Sequence, residues 1–259
     1  MNARLRPEAG HANGAPKPAD ATEPPSWGPR AGAPRGIEPR TLAGRTAQQI
    51  RRDIICNRFQ PGERLTIEKL AQRYGVGTSP LREALFQVAG DGLVHVVDHK
   101  GFVVAPLNPQ EMLDVSSLRA YLEINALQRS IRQGDDNWEA AIVTAAHRLA
   151  KAAARLTASA TGDPSSAQDE WEQRHREFHY ALCSACGSPW LLHFFDVLYD
   201  QLERYRRHLW RYGERVHDAD DQHEQLKKAA LARDAKQARK VLEEHFRRQA
   251  ELTTVPPQA

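Results

Sequence analysis

Four of the chain's 11 histidines are spaced so that they could meet. His175 and His179 lie four residues apart in Trp171-Glu172-Gln173-Arg174-His175-Arg176-Glu177-Phe178-His179, which puts both rings on one face of a helix. His223 and His245 are 22 residues apart with Asp234 at their midpoint. Leu231-Ala232-Arg233-Asp234-Ala235 has the chemistry of a turn between two helices, so each ring lies roughly 16 Å from that turn along its own helix. Antiparallel packing of the two arms would bring both rings to one level, where a bundle core lets them converge on the first pair. Four neutral imidazoles would hold a divalent metal of the borderline class, Zn²⁺, Ni²⁺ or Co²⁺, in preference to Mg²⁺ or Ca²⁺. Taken singly, each ring reads better as an exposed or satisfied core histidine than as a ligand. Cys183-x-x-Cys186 has zinc-like spacing without a second pair, so these thiols read as structural or incidental. Trp190, Tyr205 and Trp210 read as packing residues.

The elements that must position those rings begin at Pro109. From there on the sequence shows no strand signal, and helices are expected at about 109–133, 136–160, 165–186, 188–213, 217–232 and 235–252. Turn chemistry separates them at Gly134-Asp135-Asp136, Thr161-Gly162-Asp163-Pro164, Gly187-Ser188-Pro189, Gly213 and Asp234. An all-helical bundle over 108–253 follows, with a short tail at 254–259.

The segment 41–107 has a different pattern. A helix opening at Thr46 or an earlier neighbour carries Ile50, Ile54 and Ile55 and stops at Pro61-Gly62. Thr66 is expected to cap a second helix that Gly75 closes, and Ser79 to cap a third with Pro80 as its first residue. Leu93–Val97 and Phe102–Val104 then flank the polar tip Asp98-His99-Lys100-Gly101, a β-hairpin. Three helices with a short turn before the third, followed by a hairpin, is the layout of a winged helix-turn-helix. Its third helix can enter the major groove of DNA by its N-terminal end while the hairpin reaches a flanking groove or phosphate. The residues so placed are Thr78, Ser79 and Arg82 on the helix and His99 and Lys100 on the wing. Arg51, Arg52 and Lys69 are further candidate phosphate contacts. The fold class is therefore mostly α, a winged helix-turn-helix followed by an all-α effector domain.

Charge follows the same division. Residues 41–107 hold nine basic and six acidic residues, whereas 108–259 hold 21 and 23, so the basic excess sits in the front of the chain. Residues 1–40 carry eight of the 16 prolines, five glycines and few large apolar groups, the composition of a disordered tail; Arg30, Arg35 and Arg40 could make it a DNA-touching arm. No run of about 18 apolar residues occurs, which excludes a membrane-spanning helix. The N-terminus has no apolar signal core, and three cysteines suit a reducing cytoplasm.

The front module resembles the GntR family of bacterial transcription regulators. The matching residues are Pro61-Gly62-Glu63-Arg64-Leu65, Leu70-Ala71, Val76-Gly77-Thr78-Ser79-Pro80-Leu81-Arg82-Glu83-Ala84-Leu85, Gly92-Leu93-Val94 and Gly101. The family's helix-three arginine matches Arg82. A second family arginine falls at Thr78 and the serine before it at Gly77, which removes one bidentate reader of guanine. Residues 108–252 resemble the helical FCD effector domain of the FadR-type branch, in its VanR-like six-helix form. That domain's pattern Asp-x-x-Phe-His, a further histidine and another 22 residues later matches Phe178-His179, His223 and His245, with His175 at the aspartate position. It also places an arginine and a glutamate at Arg119 and Glu123. The resemblance implies that Arg119 clamps the carboxylate of a small organic acid effector, with an i,i+4 ion pair to Glu123 on a solvated face as the plain alternative.

Together these readings describe a cytoplasmic homodimer that binds an inverted-repeat operator on double-stranded DNA and responds to an effector and a divalent metal. The resemblance makes repression the default mode. Two alternatives remain from the residues alone. One is a metal-dependent hydrolase, in which Glu172 or Glu177 would supply a general base; the other is a regulator for which the metal itself is the signal.

Overall fold

The computed structural model describes residues 41–158, 165–210 and 220–254. The expected tail over 1–40, with its three arginines, lies outside the described residues, as do 255–259.

Helix α1 (Leu42–Ile55) starts where Thr41 accepts a hydrogen bond from the Gly44 amide, and its buried stripe of Ala47, Ile50 and Ile54 packs on α3. After β1 (Arg64–Leu65), α2 (Ile67–Tyr74) ends at Gly75, whose φ of 65° gives the left-handed cap that closes the turn. Thr66 stands at the N-terminal cap of α2 in extended conformation, but its hydroxyl makes no capping hydrogen bond.

Helix α3 (Thr78–Gly90) begins two residues earlier than expected, with Gly77 rather than Ser79 at the cap. Pro80 is tolerated inside the first turn because amide groups there have no intrahelical acceptor, so a missing N–H costs nothing. The wing is β2 (Val94–Val97) and β3 (Gly101–Val104), antiparallel with Val97 opposite Gly101. Strand β1 adds to the far edge of β3, in the order β1-β3-β2. At two residues it was too short to leave a periodic signal. Ile50, Ile54, Leu81, Leu85, Val88 and Leu93 form the core between helices and sheet.

The rear module is α4 (Pro109–Gln133), α5 (Asp136–Ala158), α6 (Ser165–Cys183), α7 (Pro189–Trp210), α8 (Asp220–Leu231) and α9 (Ala235–Thr254). Helix α4 packs on both α7 and α9, α5 on α6, and α8 folds back on α9. Asp234 caps α9 by accepting from the Gln237 amide at 2.9 Å, so the hairpin turns where the midpoint of the two histidines predicted. Leu127, Ile142, Leu149, Trp171, Phe178, Leu226 and Leu242 lie in the core. Tyr205 and Trp210 are buried as expected, but Trp190 is 48% exposed. It sits in the first turn of α7, stacked on Phe194, which is also exposed.

The two modules meet along α7. Gln201 donates to the Asp91 carbonyl at 2.7 Å, and Arg204 donates to the carbonyls of Ala105 and Pro106 at 3.1 and 3.2 Å. Gly92 lets the chains approach: its φ is 75°, and a Cβ there would stand 3.2 Å from the Gln201 amide nitrogen. Arg51 pairs with Asp91 and lies 3.8 Å from Asp200. It therefore belongs to this junction rather than to a DNA face, because two carboxylates hold its guanidinium between the modules.

Candidate metal centre and nucleic-acid interface

The four histidines meet. His175 and His179 on α6, His223 on α8 and His245 on α9 are all buried, and each offers a nitrogen within 4.8 Å of the others'. Adjacent ring centroids are 4.6 Å apart for His175 and His179 and 5.0 Å for His223 and His245. Trp171 stacks on the His175 ring at 4.6 Å and 13°, which fixes its plane.

Second partners orient the rings. Glu123 accepts from Nδ1 of His179, an arrangement that selects the tautomer with the Nε2 lone pair turned inward. His175 Nδ1 meets the Tyr199 hydroxyl at 2.6 Å. That hydroxyl lies 3.3 Å from the Glu172 carboxylate, which Arg206 clamps with two hydrogen bonds of 2.9 and 2.8 Å. His245 Nδ1 meets the Gln222 side-chain oxygen at 3.2 Å, and its Nε2 receives the Gln249 amide at 3.0 Å.

What remains is a set of buried nitrogens without partners: Nε2 of His175, Nε2 of His179 and both ring nitrogens of His223. Buried polar atoms are nearly always satisfied, so free imidazole nitrogens on rings that come within 4.8 Å of one another invite an occupant. A borderline divalent ion fits this donor set, all imidazole and no carboxylate. Burial, reinforced by the neighbouring rings, pushes the pKa of His175, His223 and His245 well below the ordinary imidazole value. Neutral rings are the form that can ligate.

Arg119 stands beside the cluster on α4. Its Nε donates to Glu123 at 3.0 Å, and both Nη atoms are buried without partners. The pair is 1% exposed on each side, which overturns the solvated-face alternative. Rings of Tyr199 and Phe246 lie 4.4 and 5.1 Å from the guanidinium carbon. Burial raises the cost of ionising Glu123, but His179 and Arg119 outweigh it and hold the carboxyl below its ordinary range. The general bases weighed for hydrolysis are otherwise engaged. Glu172 is tied to Arg206 and Tyr199, and Glu177 pairs outside the cluster with Arg174.

Sequence reasoning missed Tyr199, Arg206, Gln222 and Gln249. They act through long-range contacts, such as the 24 positions between His175 and Tyr199, that leave no local spacing. Both Cys183 and Cys186 are buried outside the four-histidine group.

At the other end of the chain, Thr78, Ser79 and Arg82 are exposed on the first turns of α3. His99 and Lys100 are exposed at the wing tip, where His99 takes a φ of 60°.

A gntR-family model of bacterial regulatory proteins matches residues 42–104, and the FCD domain model matches 114–248. The chain belongs to the GntR family, in the group that carries an FCD domain. Relatives of known sequence agree. An HTH-type transcriptional regulator of Paraburkholderia xenovorans (strain LB400), BphR, is 38% identical over 207 residues, 80% of this chain and 83% of that protein. The HTH-type transcriptional repressor GlaR of Escherichia coli (strain K12) is 38% identical over 211 residues, 80% of this chain and 91% of that protein. Among solved structures, E. coli McbR/YncC superposes with a TM-score of 0.67 at 18% identity, covering 82% of this chain and 97% of that one. A GntR-type regulator from Rhodococcus sp. RHA1 gives 0.65 at 17% identity, covering 83% and 98%. These two share the fold. GntR regulators bind DNA, and this chain is a transcriptional regulator of that type.

Proposed function

We propose that this regulator is a repressor whose histidine cluster binds a divalent metal and, beside it, a small organic acid that controls operator affinity. The observation that carries the reading is the gathering of unpartnered imidazole nitrogens in one buried cluster, which Glu123 ties through His179 to Arg119, whose two Nη atoms are unpartnered as well. A bound ion would supply positive charge beside the acid's carboxylate. Arg119 would take the acid's carboxylate through both Nη atoms, while Glu123 keeps the guanidinium and the His179 ring in place. Repression accords with the name of the 38% identical GlaR.

Helix α7 offers the route from ligand to DNA. Tyr199 touches His175, while the next residues, Asp200 and Gln201, hold Arg51 and Asp91 of the winged module. A cleft of about 390 Å³ separates the modules beside these contacts, lined in part by Arg51, Cys56, Arg176, Asp200, Glu203 and Arg207. Repacking around Tyr199 would thus shift the residues that seat the winged domain.

An inverted-repeat operator calls for a homodimer, with the partner surface on the helical module. Tyr121, Trp190 and Phe194 there are 66%, 48% and 44% exposed and line one shallow groove between α4 and α7. Burial against a second copy would remove that apolar surface from water.

Elemental analysis of the purified protein tests the site. Wild type should carry a stoichiometric divalent metal, and His179→Ala and His245→Ala should lose most of it. Metal-loaded protein should then release operator on adding a carboxylic acid from a screened set, and Arg119→Ala should not respond. Release on adding metal alone, without any acid, would favour the metal-sensor reading. Wild type that takes up no divalent metal would overturn the metal part, leaving Arg119 as the effector residue.

A further inference from the structure

Helix α3 buries Leu81, Ala84, Leu85 and Val88 and presents Ser79, Arg82, Glu83 and Phe86 outward. Phe86 is 56% exposed. It follows Arg82 by four residues, so the two side chains occupy one strip of the helix. The Phe86 ring meets Phe102 of the wing edge-on, with centroids 5.2 Å apart. Val96, also 56% exposed, is the register partner of Phe102 and shares its face of the sheet. Phe86 and Val96 therefore form an apolar patch in the angle between α3 and the wing. Phe86 belongs both to this patch and to the strip of α3 that carries Arg82.

Arg82 on that strip is exposed on the helix that a winged helix-turn-helix turns to the major groove. In the major groove the bases present one apolar group, the 5-methyl of thymine, and phenylalanine is one of the side chains that contact it. Thr78 at the start of α3 offers no guanidinium, so hydrogen-bond readout by this helix is reduced and an apolar reader has more of the selectivity to supply. Four residues of helix span about 6 Å along the axis, the rise of about two base pairs.

We propose that Phe86 is a specificity-determining residue that reads a thymine methyl in the major groove about two base pairs from the one reached by Arg82.

The test begins with the full-length protein enriching its own operator from random duplexes. Each thymine of that operator is then replaced in turn by deoxyuridine, which removes only the methyl. One symmetry-related pair should stand out, each replacement weakening wild-type binding by about fourfold, the worth of one buried methyl. Phe86→Ala should bind the thymine operator more weakly by a similar factor and should not distinguish thymine from deoxyuridine at that position. Phe86→Leu, which keeps an apolar side chain on Phe102, should retain part of the discrimination and guards against a folding defect in the alanine variant. Wild type that binds every deoxyuridine operator as tightly as the original would overturn the assignment. So would a Phe86→Ala loss that is equal on all duplexes, nonspecific ones included, since the ring would then be a support for the wing.

Discussion

A carboxylate among metal ligands brings a negative charge, and an imidazole brings none, so the ring at position 175 changes the charge of the cluster rather than its outline. The resemblance to FCD domains puts an aspartate there; this chain has His175, seated by Trp171 and Tyr199. His175→Asp should keep a metal bound but move the preference toward harder ions such as Mn²⁺. Competition dialysis at fixed pH measures this, and unchanged selectivity would remove His175 from the ligand set. The metal-free protein gives a second expectation. Burial holds His175, His223 and His245 well below the ordinary imidazole value, whereas in the unfolded chain they titrate near about 6.5. Below that pH the unfolded chain takes up protons that the folded state refuses. Stability is therefore intact above about pH 6.5 and falls as pH drops toward the lowered folded-state values. Urea midpoints of chelator-treated protein between pH 8 and pH 5 should drop, and drop less in a His223→Gln, His245→Gln double variant. A wild-type midpoint that is flat with pH would mean that water reaches these rings.

At the scale of elements, α7 is where the two modules are joined, because its adjacent residues face different ways. Tyr199 points to the histidines, Gln201 and Arg204 to carbonyls of the winged module, and Tyr205 to Asn108 at the start of α4. Gln201→Ala should leave metal content unchanged while narrowing the gap between effector-free and effector-bound operator affinity, a coupling that is typically 5–150-fold, roughly, in regulators. Fluorescence titrations of labelled operator with and without effector read this gap, and an undiminished gap would place the coupling elsewhere. The helices themselves were legible from capping and periodicity: Pro109 opens α4, Asp234 opens α9, and Gly75 closes α2. The register of the four histidines was legible too, because a helix and a symmetric hairpin convert spacing directly into height. What escaped the sequence did so for separate reasons. The start of α3 moved because proline fits any position of a first turn, β1 was too short for a period, and the Tyr199, Arg206 and Gln222 contacts join distant segments. Arg51 looked like a phosphate contact for the last of these reasons, since Asp91 and Asp200 meet it only after folding.

For the molecule as a whole, α4 has two working faces. Arg119, Glu123 and Leu127 point into the bundle, while Leu118 and Tyr121 lie on the outside, 49% and 66% exposed, and Tyr121 lines a groove with Trp190 and Phe194 of α7. One helix would thus link the proposed effector site to the surface proposed for a second copy. A dimer is also what makes two weak half-site contacts into one strong operator contact, because the second winged domain binds at the high local concentration set by the first. Trp190→Asp combined with Phe194→Asp would place charges in that apolar groove and should yield monomers that keep the fold and the metal. Sedimentation velocity should show the change in mass, and circular dichroism the intact helices. Binding to an inverted repeat should fall at least a hundredfold, on the order of the avidity lost, while binding to an isolated half-site should hardly change. A double variant that stays dimeric, or wild type that sediments as a monomer at operator-binding concentrations, would move the partner surface away from α4 and α7.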